Sequence, residues 1–349
     1  MLYYLGNVLA DSIGPFRLLA SYIFLAGLGT ALAALLTWWL LPRYWHLLPK
    51  DQGREFAVDA DKSIGKPVGA GLIFIPVFIV ASLLTVPFEW RFIESLACVA
   101  VAMYVGFLDD RSETGWSEYR LGAVDLVIAI AASMVICQLQ PYTVWLPLFK
   151  DSIQVSPWLF IAGATPIIWL SINATNCTDG VDGLSASLSG MAILFVGAIL
   201  YGIVGHAPIS AYLLVPHYPL GADWAIMAFV LVGCLTGFLW YNSYPSTVLM
   251  GDAGSRPLGL MLGMLVLASG NPFLILIVAY VVLVNGATGL LKVALLRFFN
   301  IGIFQQVRYP LHDHVRYNLG WSNTQVLVRF MLLQAVGTPI LLVLLLKIR

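Results

Sequence analysis

Trp224-Ala225-Ile226-Met227-Ala228-Phe229-Val230-Leu231-Val232-Gly233-Cys234-Leu235-Thr236-Gly237-Phe238-Leu239-Trp240 carries no charged side chain. A helix of about 20 such residues crosses the hydrocarbon core of a bilayer. Comparable apolar stretches lie at 16–41, 69–87, 92–108, 122–139, 157–173, 184–204, 258–270, 272–295 and 326–346. The sequence therefore predicts about ten transmembrane helices in a single integral membrane domain over 1–349. The shortest stretch, 258–270, is divided from the next by Asn271-Pro272, a turn dipeptide. No basic segment precedes the first apolar stretch, so the N-terminus is not expected to be a cleaved signal.

Composition supports this all-α, polytopic membrane class. Of 349 residues, 60% are hydrophobic and 10% charged, with a mean hydropathy of +0.88. A soluble globular chain is about half apolar and about a quarter charged. Disordered, coiled-coil and collagen-like classes are excluded, and a soluble enzyme is disfavoured. Lys plus Arg equals Asp plus Glu at 18 each, so no basic excess points to a nucleic-acid partner. Cys98, Cys137, Cys177 and Cys234 lack CxxC spacing, and at least three of them read as small packing residues.

The zero net charge hides an asymmetry. With ten spans, the odd-numbered connections share one side of the membrane. Thirteen of the 18 basic residues fall there and five on the other side. By the positive-inside rule the odd connections are expected to be cytoplasmic and both termini outside. Those connections lie near 42–68, 109–121, 173–184, 241–257 and 296–325. Asp109, Asp110, Asp179, Asp182, Asp252 and Asp313 all fall in or beside them. No charge sits at the centre of a predicted span, whereas a transporter or lipid flippase usually carries ionisable groups near the midplane. The polar chemistry gathers at one face instead.

Each connection has its own pattern. Asp109 and Asp110 are adjacent carboxylates at a helix exit. Mg²⁺ with a phosphate substrate would let both stay ionised, and a plain helix-end charge pair is the simpler alternative. Asn173 to Leu184 is dense in groups that hydrogen-bond a base or sugar. If it opens the sixth span, Asp179 and Asp182 share one helix face there, and helix capping is the competing role. Asp252, between Gly251 and Ala253-Gly254, suits a single metal ligand on a tight loop or an ordinary turn. His312-Asp313-His314 would contact phosphate, shuttle protons or bind a metal. HxH spacing suits zinc on a strand, but no further Cys or His completes a set. Lys62 and Lys66 flank a Gly-containing loop able to cradle phosphate, though it is not a P-loop.

Asn173-x-x-Asn176-x-Thr178-Asp179-Gly180-x-Asp182-Gly183-Leu184 is a specific signature. With Gly106-Phe107-Leu108-Asp109-Asp110 and Phe238-Leu239-Trp240-Tyr241-Asn242…Met250-Gly251-Asp252-x-Gly254-Ser255, it resembles the polyprenyl-phosphate glycosyl-1-phosphate transferases. Pro310-Leu311-His312-Asp313-His314, followed by Gly320-Trp321, is most similar to the branch that uses UDP-N-acetylmuramoyl-pentapeptide. Arg111 and Arg120 look more like the branch that transfers N-acetylglucosamine-1-phosphate. The resemblance implies a bacterial inner-membrane homodimer with ten transmembrane helices. It implies a Mg²⁺-dependent transfer of a sugar phosphate from a UDP nucleotide to undecaprenyl phosphate, with release of UMP. Carried over by residue, Asp252 and Asp109 would hold the metal. Asp109, Asp110 and Asp252 would form the catalytic set, with Asp109 by preference the base for the lipid phosphate. Asn176, Asp179 and Asp182 would face the nucleotide, Asp179 reaching the uracil. Asn242 would line the nucleoside pocket, and Leu249 would stand where an aromatic is common. Lys62, Lys66, His312, Asp313 and His314 would approach phosphates or sugar. The family usually has a third histidine where this chain has Asp313.

Overall fold

The computed structural model describes residues 1–53 and 63–347, and Lys62 lies outside them. The helices are α1 (Leu2–Leu9), α2 (Tyr22–Tyr44), α3 (Gly71–Thr85), α4 (Trp90–Asp110), α5 (Glu118–Cys137), α6 (Pro157–Thr178), α7 (Leu184–Ile199) and α8 (Ala207–Tyr212). They continue with α9 (Gly221–Asn242), α10 (Asp252–Ala268), α11 (Ile275–Val278), α12 (Tyr280–Val282), α13 (Thr288–Phe299), α14 (Leu311–Leu319) and α15 (Asn323–Lys347). Eight helical stretches among the described residues are long and apolar enough to cross a membrane. The other two expected spans are shorter, α3 with 15 residues and α10 with 17. The chain is an all-α, multi-pass membrane protein.

Local signals set the boundaries. Ser117 caps α5, its hydroxyl accepting from the Arg120 amide. Pro157 opens α6 at a position where the missing amide costs nothing. Asn300 closes α13 in the left-handed conformation. The first span starts at Tyr22 rather than 16, because Gly14–Ala20 forms a 3₁₀ stretch led by Pro15. The apolar run is continuous across that break, so periodicity alone did not mark it.

α10 is the axis of the bundle. All of its residues are buried, packed chiefly on α6 and α4 and also on α7, α3, α5 and α9. Protein rather than lipid surrounds it, so a short helix with a polar start is tolerated at this depth. It begins earlier than the 258–270 stretch suggested, with Asp252 in its first turn. The ninth span is broken: a 3₁₀ turn at Pro272–Leu274, then α11 and α12, then a π-helical turn at Leu283–Ala287 before α13. Away from the motif-bearing end, a two-stranded hairpin pairs β1 (Tyr142–Val144) with β2 (Ile153–Val155). Trp145, just after β1, anchors the far end of α10, its indole donating to the Ser269 carbonyl at 2.9 Å.

Candidate active site

The N-terminus of α10 is where the motifs meet. Gly251 precedes it at φ +68°, a conformation that strains any side chain. A Cβ there would also lie 2.5 Å from the Asp110 carboxylate. Gly106 of α4 is just as confined, since a Cβ would meet the Asp252 carbonyl at 2.3 Å. These glycines bring the end of α4 against the start of α10. Asp110 then uses both carboxylate oxygens as a cap. Oδ1 accepts from the Asp252 amide at 2.8 Å and Oδ2 from the Ala253 amide at 2.9 Å. The orphan donors of the helix are satisfied, and its positive end favours the anion.

Asp252 is held on both oxygens. Asn176 Nδ2 donates to Oδ1 at 2.8 Å and also to Ser255 Oγ at 3.0 Å. Arg256, one turn on, donates to Oδ2 through Nε at 2.8 Å, and its Nη2 lies 2.8 Å from the same oxygen as an ion pair. The Nη1 of Arg256 is bonded to Asp125 of α5. Asp125 and Arg256 are only 1% and 3% exposed. Asp109 interacts with Asp252, while its Oδ1 accepts from the Trp116 amide at 2.6 Å.

Asp109, Asp125 and Asp252 thus all interact with one guanidinium, Arg256, and Asp110 lies against Asp252 and Asp109. Buried charge without a counter-charge is costly. No trio of His, Cys, Asp or Glu among the described residues is gathered tightly enough to cage a metal. Mg²⁺ is usually held by one or two carboxylates and completed by water and substrate phosphates. The surplus of hard oxygen donors suits such a cation, and Asp109 and Asp252, which lie against each other, are the residues that could hold it.

The remaining predicted residues are tied to the links and loops after α6 and α9 and to α14. α7 begins only at Leu184, so Asp179 and Asp182 lie in the link after α6 and do not share a first helical turn. Asp182 accepts from the Ser246 amide at 3.0 Å and from its hydroxyl at 2.8 Å. Ser246 Oγ also accepts from Lys66 Nζ at 3.0 Å. Asn242 clamps two loops, accepting from the Gly183 amide at 2.9 Å and donating to the Val248 carbonyl at 2.8 Å. Leu249 is half-buried, and its backbone pairs with Pro67 and Ala70. The Asn176 side chain is spent on Asp252 and Ser255, while its backbone carbonyl accepts from the Asp179 amide at 3.0 Å.

His312, Asp313 and His314 are on a helix, α14, not on a strand. Residues two apart on a helix point in different directions, so the zinc geometry is absent. Asn285 in the π-helical turn accepts from the His312 amide at 2.8 Å, approaches its Nδ1 at 3.2 Å, and donates to Thr178 Oγ1 at 3.1 Å. The imidazole lies over Gly180, where a Cβ would come within 2.4 Å of Nε2. His314 Nδ1 instead accepts from the Arg308 amide at 3.2 Å. Asp313 is buried beside Arg316, 3.4 Å away. Burial pushes its carboxyl above the usual carboxylate range, against the pull of Arg316 and Arg308.

Asp125, Arg256 and Asn285 escape the motif reading, and Ser246 and Ser255 carry no assigned role in it. A signal existed for the first three: an Asp and an Asn inside apolar spans, and an Arg one turn after Asp252. Comparison with known proteins supplies the context. The model of glycosyl transferase family 4 matches residues 92–270. A phospho-N-acetylmuramoyl-pentapeptide-transferase of Treponema pallidum (strain Nichols) is 49% identical over 341 residues, covering 96% of this chain and 93% of the relative. One from Campylobacter jejuni (strain RM1221) is 32% identical over 288 residues, 79% of this chain and 80% of the relative. One from Nautilia profundicola is 31% identical over 306 residues, 84% and 85% of the two chains.

Proposed function

The chain belongs to glycosyl transferase family 4, and from that premise we propose that it transfers phospho-N-acetylmuramoyl-pentapeptide from its UDP nucleotide to undecaprenyl phosphate in peptidoglycan synthesis. An oxygen of the lipid phosphate attacks the β-phosphorus, to which the sugar is attached. The bond from that phosphorus to the bridging oxygen breaks, UMP leaves, and lipid I remains in the membrane. One pyrophosphate replaces another, so the barrier lies in bringing anions together.

The observation that carries this reading is the buried carboxylate cluster at the start of α10. Asp252 and Asp109 are the metal pair, and Mg²⁺ when bound supplies neutralisation of the pyrophosphate charge. Asp110 fixes the helix start from which Asp252 projects. Asn176 and Arg256 fix the Asp252 carboxylate. Lys66 and His312 stand on the wall that meets the phosphates and sugar, and Asp179 on the link that meets the uracil. The site faces the cytoplasm of a bacterial inner membrane, both termini lie outside, and the enzyme works as a homodimer. The basic-residue asymmetry supports that sidedness.

The test is purified protein with undecaprenyl phosphate and either UDP-N-acetylmuramoyl-pentapeptide or UDP-N-acetylglucosamine. Mg²⁺-dependent UMP release and a lipid product from the muramoyl nucleotide are expected. Product from UDP-N-acetylglucosamine alone would transfer the chain to the sister activity. Absence of UMP release from both would leave a non-enzymatic lipid transporter as the better reading.

A further inference from the structure

Arg256 is an unusual occupant of a site meant to hold a divalent cation. Its guanidinium sits on Oδ2 of Asp252, the same carboxylate assigned above to the metal. A fixed cation on one oxygen withdraws charge from the carboxylate and repels a second cation nearby. It also locks the carboxylate plane, because the planar fork of Arg orients what it binds. Asn176 holds the other oxygen, so Asp252 is pre-set in rotation as well as position.

Asp125 stands on the far side of the guanidinium, bonded to Nη1, and is linked to Arg256 across 131 residues of sequence. Asn173 lies against Asp125 as well. The arrangement is a line of three charges: Asp125, Arg256, Asp252. Asp125 offsets the positive charge that Arg256 presents to the site, and it holds the guanidinium in register. α5 is thereby tied to the chemistry although it contributes no motif residue to it.

We propose that Asp125 and Arg256 are a positioning pair that tunes the divalent-cation affinity of Asp252 while fixing its orientation. The inference rests on Asp252 as metal ligand. It makes a prediction that a pair serving only the packing does not share: the two single neutralisations shift metal affinity in opposite directions. Removing Arg256 uncovers the negative charge of Asp252 and tightens binding. Neutralising Asp125 leaves Arg256 unopposed and weakens it. Removing both restores the net charge of the cluster but not the orientation of Asp252.

The experiment is Mn²⁺ titration of the full-length detergent-solubilised protein without nucleotide, read by the free Mn²⁺ electron paramagnetic resonance signal. Turnover is measured in parallel. Arg256→Gln is expected to bind Mn²⁺ about fivefold more tightly, and Asp125→Asn about fivefold more weakly. The double variant Asp125→Leu/Arg256→Leu should return to within about twofold of the parent, with turnover still reduced at least about tenfold. Buried ion pairs often tolerate joint replacement by apolar residues. The double variant and Asp125→Asn therefore decide the matter even if Arg256→Gln does not fold. Equal affinities throughout, or shifts of the same sign in both single variants, overturn the inference and leave the metal site standing. Asp252→Ala is the control for that site. It should abolish the saturable Mn²⁺ binding, and unchanged binding would overturn the metal reading and this inference together.

Discussion

The start of α10 and the helix α14 both present polar groups at the same end of the bundle, yet they are held in place by different physics. Around α10 the partners are carboxylates and a guanidinium. Asp110 caps it, and Arg256 lies between Asp252 and Asp125. Around α14 the imidazole of His312 is set by a neutral amide, Asn285, and the nearest ion pair, Arg316 with Asp313, is a longer 3.4 Å. Charged hydrogen bonds in a buried setting are strong and unforgiving, while neutral ones are modest and adaptable. The first region suits a fixed electrostatic centre, the second a wall that adjusts to a substrate.

The comparison is broken most directly at Asp252. Asp252→Ala should lower turnover about a thousandfold or more, with UMP release as the measurement. A drop of less than about tenfold would show that the two regions are not so unequal. Asp110→Ala comes next. It removes both acceptors at the α10 N-terminus and should cost about 1–2 kcal/mol of stability, seen as a lower thermal midpoint. Turnover should fall with it, because the Asp252 backbone is what Asp110 holds. Loss of turnover with an unchanged midpoint would instead make Asp110 a participant in the chemistry.

The two regions also differ in how far the sequence revealed them. Asp109, Asp110, Asn176 and Asp252 converge because their motifs end or begin helices beside glycines that permit close approach, and both features are written locally. The spans were legible for the same reason: apolar runs declare themselves one by one. Arg256 and Asp125 were not legible as partners, since their bond joins α10 to α5 through tertiary packing. Asn285 looked like one more residue in an apolar span. Only the π-helical turn aims it at both Thr178 and His312. Asp182 and Asn242 carry a second role that their motifs do not declare, since their side chains bridge loops.

His312 sharpens the contrast on the adaptable side. His312→Ala should lower kcat/KM about tenfold to a hundredfold, the value of one hydrogen bond to a charged group. Gly180→Ala offers a separate route to the same position. The added methyl would press on Nε2, and Asn285 leaves the ring little room to retreat. It should reproduce most of the His312→Ala defect with the imidazole still present. Full activity in Gly180→Ala would show that α14 shifts freely, widening the difference from α10.

The smallest effect concerns Asp313. Its carboxyl is raised above the ordinary 3.8 because burial disfavours the anion more than Arg316 and Arg308 favour it. A raised carboxyl binds its proton more tightly in the folded state than in the unfolded one. Stability linked to that proton is therefore present below 3.8 and is lost as pH climbs through the raised value. His312, whose Nε2 is 3.8 Å from Asp313, belongs to the same environment, with Arg316 and Arg308 as its cations. Asp313→Asn cannot titrate, so its thermal midpoint should fall less than the parent's as pH rises through the range just above 3.8. If the two profiles run parallel, Asp313 is ionised alike in both states. α14 would then be held by a working ion pair to Arg316, and its contrast with α10 would narrow to one of degree.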